Sequence, residues 1–461
     1  MKVTLVNPPY PPNAHAHPPF IPLGLAYLGA IAEKEGHEVT IIDCQGEKLT
    51  YDTFRQKIVK VPSDIVGVTS TTLLYNSAKK IVEIAKEEHP NAITMIGGSH
   101  VSFWDENALN ECPSIDVIVR REGELTFLEL LQHVDAKTSF AGVLGTTYRA
   151  NDGKIMRNED RPFLHDLDSL PSPAYHLLPL DSYRRMGKTI FPLVTSRGCV
   201  QWCDFCSTVR MFGRGYRMRS PKKVVDEMEM LHKKYGEGQF TFYDDAFTVN
   251  RQHTLQLCDD IKARKLAVEW DCETRVDAVD QELLTQMRDA GCITVWFGVE
   301  SGSEKVLAQM HKKINPEMVR LAFKTAQKAG LMTIASAVIG FPGETEETAW
   351  ETINFINSLN PDDIGFYVAT PYPGTPMYEE VVKNGWLRVT DFNKYDTATP
   401  TFETPYLSME KIREIKYKAH QKFYLRPGYV IKMMRRGGTY GRSGLKTSAA
   451  YALRAMHVKL S

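Results

Sequence analysis

The feature that most limits the possible folds is a regular alternation of two kinds of segment along most of the chain. Short apolar runs rich in β-branched residues occur at 3–6, 39–42, 65–69, 93–96 and 117–119. Segments of helical length, with apolar residues three and four apart, separate them. Strands joined by helices form parallel sheets that are covered on both faces. We therefore predict an α/β, doubly wound, Rossmann-like domain over residues 1–140.

The same alternation returns after a proline-rich stretch that we predict to be a linker over residues 141–188. Strand-like runs follow at 191–195, 240–243, 268–271, 293–299, 332–339 and 364–369. Six strand–helix units are fewer than the eight of a closed barrel. We therefore predict an open, partial (β/α)6 barrel over residues 189–400, followed by a small helical region over residues 401–461.

Small and polar residues follow the predicted N-terminal strands. Parallel sheets of this kind bind ligands at the carboxyl ends of their strands. There, glycines allow close backbone approach and hydroxyl groups form hydrogen bonds. The candidate ligand-binding residues are Ser70, Thr71, Thr72, Gly97, Gly98, Ser99, His100, Glu122, Gly123 and Glu124. A single histidine such as His100 is also compatible with a purely structural role.

Composition argues against several classes of partner. The 461 residues include 56 basic and 56 acidic side chains, so the formal net charge is zero. No overall field therefore favours nucleic acid or a membrane surface. The sequence shows neither a signal-peptide pattern nor an apolar run of membrane-spanning length. We predict a cytoplasmic protein that does not bind nucleic acid.

Three of the eight cysteines, Cys199, Cys203 and Cys206, lie within eight residues. Their thiolates would bind three irons of a cubane cluster, and no further cysteine follows within about fifty residues to bind the fourth iron. A zinc site is the alternative, but it would need a fourth ligand, and the next histidine is His232. Disulfides are disfavoured in a large chain without an export signal.

This cysteine loop resembles the hallmark of the radical S-adenosylmethionine superfamily. The resemblance implies that Cys199, Cys203 and Cys206 are the catalytic, metal-binding residues of a [4Fe–4S] cluster, whose open iron binds S-adenosylmethionine. Reductive cleavage would give methionine and a 5′-deoxyadenosyl radical that abstracts hydrogen from an unactivated carbon. An electron donor such as a ferredoxin or flavodoxin is therefore an expected partner, under anaerobic conditions.

The resemblance extends along the predicted barrel and supplies further candidate cofactor-binding residues. In that family the residue before the last cysteine packs near the adenine. Acidic residues after the second strand would accept hydrogen bonds from the cofactor's ammonium group. Side chains after the third strand would meet the ribose hydroxyls and the methionyl carboxylate, and the end of the fourth strand supplies one more candidate. The candidates are Phe205, Tyr243, Asp244, Asp245, Glu273, Arg275 and Glu300.

A doubly wound domain in front of such a barrel resembles the cobalamin-binding branch of the superfamily. That branch contains the anaerobic magnesium-protoporphyrin ester cyclases and the cobalamin-dependent C-methyltransferases. The resemblance implies cobalamin as a third cofactor, with residues 69–72 and 97–100 beside its nucleotide tail. The motif that supplies an axial histidine in other cobalamin enzymes is absent, since residues 43–46 read Asp-Cys-Gln-Gly. Cobalamin would then bind without a histidine ligand.

The function implied by this resemblance is methylation of an unactivated carbon by a 5′-deoxyadenosyl radical and methylcobalamin. A protein residue, such as the glutamine of methyl-coenzyme M reductase, is one substrate compatible with it. The alternative is an oxidative cyclase or another radical transformation of a tetrapyrrole-like or lipid substrate. A methylthiotransferase is disfavoured, because only Cys44 and Cys112 are available for a second cluster in the N-terminal domain.

The C-terminal tail has a different composition from the rest of the chain. Between Arg426 and Ser461 there are eight basic residues and no acidic ones. Two interpretations remain open at this stage. The tail is either a solvated helical cap on the barrel or a docking face for an acidic partner.

Overall fold

The computed structural model describes residues 1–12, 20–185, 188–236 and 238–460. The chain divides into two compact units. The first comprises Met1–Asp245, Pro371–Glu380 and Val389–Asp396, and the second comprises Ala246–Thr370, Val381–Arg388 and Thr397–Ser461. Within the described ranges, no helix combines the length and the apolar character needed to cross a bilayer.

The first unit contains a twisted sheet whose described residues form seven strands. These are β1 (Lys2–Asn7), β2 (Glu38–Asp43), β3 (Ile65–Thr69), β4 (Ile93–Gly97), β5 (Val117–Val119), β6 (Thr146–Arg149) and β7 (Ile155–Arg157). Their order is β2–β1–β3–β4–β5–β6–β7, and β1 to β5 pair in parallel. The predicted doubly wound domain is confirmed.

Helices cover this sheet on both faces, as the burial of its strands requires. They are α1 (Leu23–Lys34), α2 (Tyr51–Ile58), α3 (Tyr75–Glu88), α4 (Asp105–Glu111) and α5 (Glu124–Asp135). The core between the strands and α2 and α3 includes Val68, Ile96, Phe54 and Ile81, all of which are buried. Burial of such side chains is the main favourable contribution to folding.

The structure differs from the sequence prediction in the first part of the predicted linker. Residues of β6 and β7 form an antiparallel hairpin that adds to the sheet next to β5. The hairpin covers Arg120, whose guanidinium donates to the carbonyl oxygens of Thr146 and Asn158 and pairs with Asp160. A buried guanidinium needs such partners, and the hairpin supplies them.

The second sheet is the predicted partial barrel, and its strands are divided between the two units. The first unit contains β8 (Arg184–Arg185), β9 (Lys188–Leu193) and β12 (Gly238–Phe242). A small antiparallel pair, β10 (Ser196–Arg197) and β11 (Arg217–Met218), follows β9. The helices of this part are α6 (Thr208–Phe212) and α7 (Pro221–Tyr235).

In the second unit, four strands pair in parallel in the order β16–β15–β14–β13. The strands are β13 (Glu269–Thr274), β14 (Cys292–Glu300), β15 (Met332–Ile339) and β16 (Asp363–Val368). The helices that follow β12 are α8 (Arg251–Ala263), α9 (Gln281–Asp289), α10 (Glu304–Gln309), α11 (Pro316–Lys328), α12 (Glu346–Leu359) and α13 (Pro376–Lys383). All six predicted barrel strands are therefore present.

The C-terminal region is helical and packs on the second unit. Its helices are α14 (Met409–Tyr424), α15 (Pro427–Arg436) and α16 (Gly438–Leu460). Tyr429 and Met433 of α15 are buried. Lys432 and Arg436, on the same helix, both pair with Asp362. Part of the basic tail is thus used to hold α15 in place, which favours the interpretation as a packed cap.

Candidate cofactor site

The three clustered cysteines lie on the loop that follows β10. Gly198 alone separates Cys199 from that strand, and the loop continues to Ser207 before α6 begins. The backbone N–H of Cys206 donates to the carbonyl oxygen of Cys203 at 3.1 Å, and the N–H of Thr208 donates to the Cys206 sulfur at 3.5 Å. All three cysteines are half-buried and none forms a disulfide. The loop therefore presents three thiols from one tight turn.

This arrangement fits a cubane cluster better than a single metal ion. Among the described residues, no three histidine, cysteine or acidic side chains converge on one point as ligands to one ion would. In a cubane each thiolate binds a different iron, so the sulfurs need not meet at one point. The cysteine loop satisfies that weaker requirement, because it presents three thiols that are close together in the sequence.

The two acidic residues after β12 have different environments. Asp244 is fully buried, and its carboxylate accepts hydrogen bonds from the backbone N–H and hydroxyl of Thr195 and from the hydroxyl of Ser196. Asp245 instead lines a cavity and accepts a hydrogen bond from the hydroxyl of Thr208 at 2.8 Å. Burial raises the pKa of Asp245 to about 6. Asp244 thus fixes the chain just before the cysteine loop, and Asp245 is the acid that faces a ligand.

The two aromatic candidates both lie in the first unit. Phe205 is half-buried within the cysteine loop, between Cys203 and Cys206. The side chain of Tyr243 is 42% exposed and lines the same cavity as Asp245. Both rings are therefore accessible to a ligand that contacts the cysteine loop.

The cavity has a volume of about 290 Å³ and two walls. One wall consists of strand ends and helices of the doubly wound domain, and the other consists of the chain around β10, α6 and the end of β12. The first wall includes Leu5, Gly67, Thr69, Met95, Val119 and Phe127, and the second includes Val194, Ser196, Arg197, Met211, Phe212 and Asp245. This mostly apolar lining suits an aromatic ring system with few polar groups.

Several glycines line this cavity, among them Gly24, Gly67, Gly97 and Gly98. A Cβ added to Gly24 would meet no atom within 4 Å, so a side chain there would occupy free space. A Cβ on Gly98 would lie 2.4 Å from the carbonyl oxygen of Ser70, which no real side chain tolerates. The cavity thus fits part of a large cofactor, such as the nucleotide tail of cobalamin.

Several predicted tail-binding residues lie beside the cavity lining rather than in it. The lining includes Thr69 but not Ser70, Thr71, Thr72, Ser99 or His100. His100 is buried among aromatic rings, including those of Tyr75 and Phe392, and its Nδ1 lies 3.2 Å from the hydroxyl of Thr72. Burial lowers the pKa of the imidazole to about 3, so it is neutral. The structural role considered for His100 is therefore favoured.

The loop after β5 does line the cavity, through Glu122, Gly123 and Glu124. Both carboxylates pair with Arg197, which lies two residues before the first cluster cysteine. Burial opposes ionisation of Glu124, but the guanidinium of Arg197 outweighs it and lowers the pKa of this carboxyl. Sequence analysis identified the two acids but not Arg197. The only sequence feature that could have indicated Arg197 is its position next to the cysteine motif.

The remaining candidates belong to the second unit. Glu273 is exposed near the end of β13, and Arg275 makes two hydrogen bonds to the carboxylate of Asp277, at 2.8 and 2.7 Å. Glu300, at the end of β14, has a φ of +60° and pairs with the buried Lys312 at 2.6 Å. Lys312 was not predicted, because nothing in its local sequence distinguishes it from a surface lysine.

Comparisons with known proteins match two parts of the chain. The model of the B12 binding domain matches residues 12–131, and the model of the Radical SAM superfamily matches residues 193–356. An uncharacterised methyltransferase of Pyrococcus horikoshii is 39% identical over 411 residues, which is 89% of each chain. The chain belongs to the cobalamin-binding radical S-adenosylmethionine family.

Two further proteins that the chain resembles are a cyclase and a methyltransferase of known structure. The anaerobic magnesium-protoporphyrin IX monomethyl ester cyclase of Rubrivivax gelatinosus is 32% identical over 439 residues, 93% of this chain and 78% of the cyclase. The solved structure of a radical S-adenosylmethionine methyltransferase of Kitasatospora setae, with cobalamin and a [4Fe–4S] cluster bound, has the same fold. Its TM-score is 0.71 at 22% identity, over 83% of this chain and 78% of that one.

Family membership confirms the predicted enzyme class and cofactor set. The two matched domains are those for cobalamin and for radical S-adenosylmethionine chemistry. The predicted [4Fe–4S] cluster, S-adenosylmethionine and cobalamin are the cofactors of this enzyme family. Both methyltransferases and cyclases belong to it, so membership alone leaves the reaction to be inferred from the site.

Proposed function

We propose that this enzyme is a C-methyltransferase that adds a methyl group to an unactivated carbon. The observation that carries the proposal is the cavity whose two walls come from the cobalamin-type domain and from the chain around the cysteine loop. A cobalamin whose tail occupies that cavity would adjoin the radical-generating site. The 39% identity to a methyltransferase supports the same reaction.

The first unit would hold the cluster and part of the S-adenosylmethionine. Cys199, Cys203 and Cys206 would bind three irons, and Phe205 would pack against the adenine. Asp245 would accept hydrogen bonds from the ammonium group, because its carboxylate reaches the cavity whereas that of Asp244 is fully engaged. When bound, the cofactors supply a 5′-deoxyadenosyl radical and a transferable methyl group.

The other residues that the family resemblance suggests for S-adenosylmethionine belong to the second unit. Glu273 is exposed at a strand end, where it would bond the ribose hydroxyls. Arg275 and Glu300 also lie at strand ends, where barrel enzymes bind their ligands. We propose that Arg275 binds the methionyl carboxylate, and that Glu300 orients this carboxylate through its ion pair with Lys312.

The cobalamin tail would occupy the apolar cavity of the first unit. Leu5, Met95, Val119 and Phe127 would exclude water from it, and the hydroxyl of Thr69 would offer a hydrogen bond. The strand-end residues that lie behind this lining would support it. Ser70, for example, donates its N–H to the carbonyl oxygen of Gly97 at 2.7 Å.

The ratio of two products tests the proposed reaction. A methyltransferase of this kind consumes two molecules of S-adenosylmethionine per product, so S-adenosylhomocysteine and 5′-deoxyadenosine should form in about equal amounts. The assay needs an electron donor, for which we propose a ferredoxin or flavodoxin. Cys203→Ala should abolish 5′-deoxyadenosine formation, whereas Cys112→Ala, which changes a buried cysteine outside the loop, should not.

Oxidative cyclisation is the second candidate function, and the 32% identity to a cyclase favours it. A cyclase would form 5′-deoxyadenosine without matching S-adenosylhomocysteine, so the product ratio separates the two reactions. The substrate that we propose from the family resemblance is a carbon of methyl-coenzyme M reductase, such as that of its glutamine. Incubation with that protein should then add the mass of one methylene group to a single peptide.

A further inference from the structure

Four charged side chains form one network in the wall of the cavity. Arg197 donates to Glu122 at 3.1 Å and to Glu124 at 2.6 Å. The second carboxylate oxygen of Glu122 accepts from Arg217 at 2.8 Å and from the backbone N–H of Leu164 at 3.0 Å. Two positive and two negative charges are therefore paired within a single cluster.

The network is nearly buried, so it has few alternative arrangements. The side chains of Arg197 and Arg217 are each 11% exposed, and those of Glu122 and Glu124 are 8% and 9% exposed. Charges removed from water are tolerated when they are paired, and loss of one partner leaves the other uncompensated. Movement of one of the four side chains should therefore move the others.

One end of the network is attached to the cysteine loop. Arg197 belongs to β10 and pairs in register with Arg217 of β11, and only Gly198 lies between Arg197 and Cys199. Gly198 has a φ of +94°, and a Cβ there would lie 2.3 Å from the carbonyl oxygen of Gly215. Because the backbone is closely packed at Gly198, a displacement of Arg197 is transmitted to Cys199.

The other end of the network belongs to the cavity. Arg197, Glu122 and Glu124 all line it, so a ligand that fills the cavity touches these side chains. Glu124 is the first residue of α5, a helix of the doubly wound domain, and Glu122 lies just after β5. The pairs Arg197–Glu122 and Arg197–Glu124 therefore join the strand ends of that domain to the cysteine loop.

We propose that Arg197, Glu122 and Glu124 are positioning residues that couple occupancy of the cavity by cobalamin to the geometry of the cysteine loop. The inference rests on the proposed function only in assigning cobalamin to the cavity. Cobalamin bound between these walls would hold Glu122 and Glu124 in place, and Arg197 would transfer that constraint to Cys199. Cluster and cobalamin should then bind cooperatively.

Binding of hydroxocobalamin alone tests this coupling. Cooperativity is reciprocal, and couplings of this kind amount to roughly 5–150-fold. The full-length chain with its cluster reconstituted should bind hydroxocobalamin at least about 5-fold more tightly than the cluster-free chain. In Glu124→Gln the ratio of the two dissociation constants should approach one. Titration followed by the absorption spectrum measures both constants without turnover.

A matched control separates coupling from a general change in charge. Glu129 lies on the same helix as Glu124, but its carboxylate pairs with Arg161 and does not line the cavity. The ratio of the two dissociation constants in Glu129→Gln should therefore equal that of the natural chain. Arg197→Lys keeps the positive charge but loses the fork that reaches both acids, so it should lower the ratio even if Glu124→Gln fails to fold.

The cluster itself provides a second measurement. Iron retention by the oxidised cluster against a chelator should increase when hydroxocobalamin is added to the natural chain and should not increase in Glu124→Gln. A ratio of one in the natural chain, or an unchanged ratio in Glu124→Gln, would overturn the coupling. A chain that binds no cobalamin would overturn the proposed function as well, whereas a cyclase reaction would leave the coupling intact.

Discussion

Gly198→Ala should weaken cluster binding strongly, because two separate penalties act at this position. A non-glycine residue at a φ of +94° costs about 1–3 kcal/mol. The new Cβ would also lie 2.3 Å from the carbonyl oxygen of Gly215 and 3.0 Å from that of Gly213. Relieving such overpacking by moving backbone costs about 1–3 kcal/mol more. The total is about 2–6 kcal/mol, next to Cys199.

Gly215→Ala is the matched control, since it has only one of these penalties. Its φ is +129°, but a Cβ there meets no atom within 4 Å. The excess cost of Gly198→Ala is therefore the overpacking alone, about 1–3 kcal/mol, which corresponds to about 5–150-fold. Iron retention against a chelator, measured anaerobically on both variants, gives this factor directly. Equal retention in the two variants would refute the role of close packing at Gly198.

Three further predictions concern other parts of the chain. Gly24→Phe should abolish hydroxocobalamin binding while leaving iron content unchanged, because the new ring would fill the cavity. Burial raises the pKa of the Glu344 carboxyl from 4.5 to about 8. The protonated carboxyl therefore contributes to the stability of the fold in acid, and this contribution is lost as the pH rises towards 8. The urea midpoint of the natural chain should fall over that pH range, and Glu344→Gln should flatten the fall. Deletion of residues 430–461 should lower the yield of soluble protein, because it removes the buried Met433 and both cations that pair with Asp362. A soluble truncated chain that still cleaves S-adenosylmethionine but has a raised Michaelis constant for substrate would instead support a docking role for the tail.

The strands that could be predicted most closely are those buried on both faces. The apolar runs at 65–69, 117–119 and 332–339 have the same bounds as β3, β5 and β15. A largely apolar run is sufficient there, because such a strand is buried on both faces. The hairpin of β6 and β7 was missed, since its sequence is largely polar. Its burial depends on Arg120, a distant partner that no local pattern indicates.

Candidate residues can be predicted where the chemistry depends on their spacing in the sequence. They cannot be predicted where it depends on which way a side chain points in the fold. The cysteine spacing predicts Cys199, Cys203 and Cys206 as cluster ligands, and the structure has all three on the loop between β10 and α6. Asp244 and Asp245 are equivalent in sequence, but only Asp245 lines the cavity, while Asp244 satisfies buried donors on the neighbouring segment. Thr69 was placed at the edge of the predicted tail-binding loop, yet it contributes to the lining whereas the residues after it do not.

The strand order of the first sheet has a consequence for synthesis of the chain. All its described strands lie within residues 2–157, so the sheet needs no partner from later in the sequence. Domains generally fold as units while the chain is being synthesised, and synthesis adds about 5–20 residues per second. The 42 residues from Asn158 to Cys199 therefore take about 2–8 s to add. The wall that carries Glu122 and Glu124 can therefore be complete when the first cluster cysteine leaves the ribosome. The cysteine loop would then fold against a finished surface.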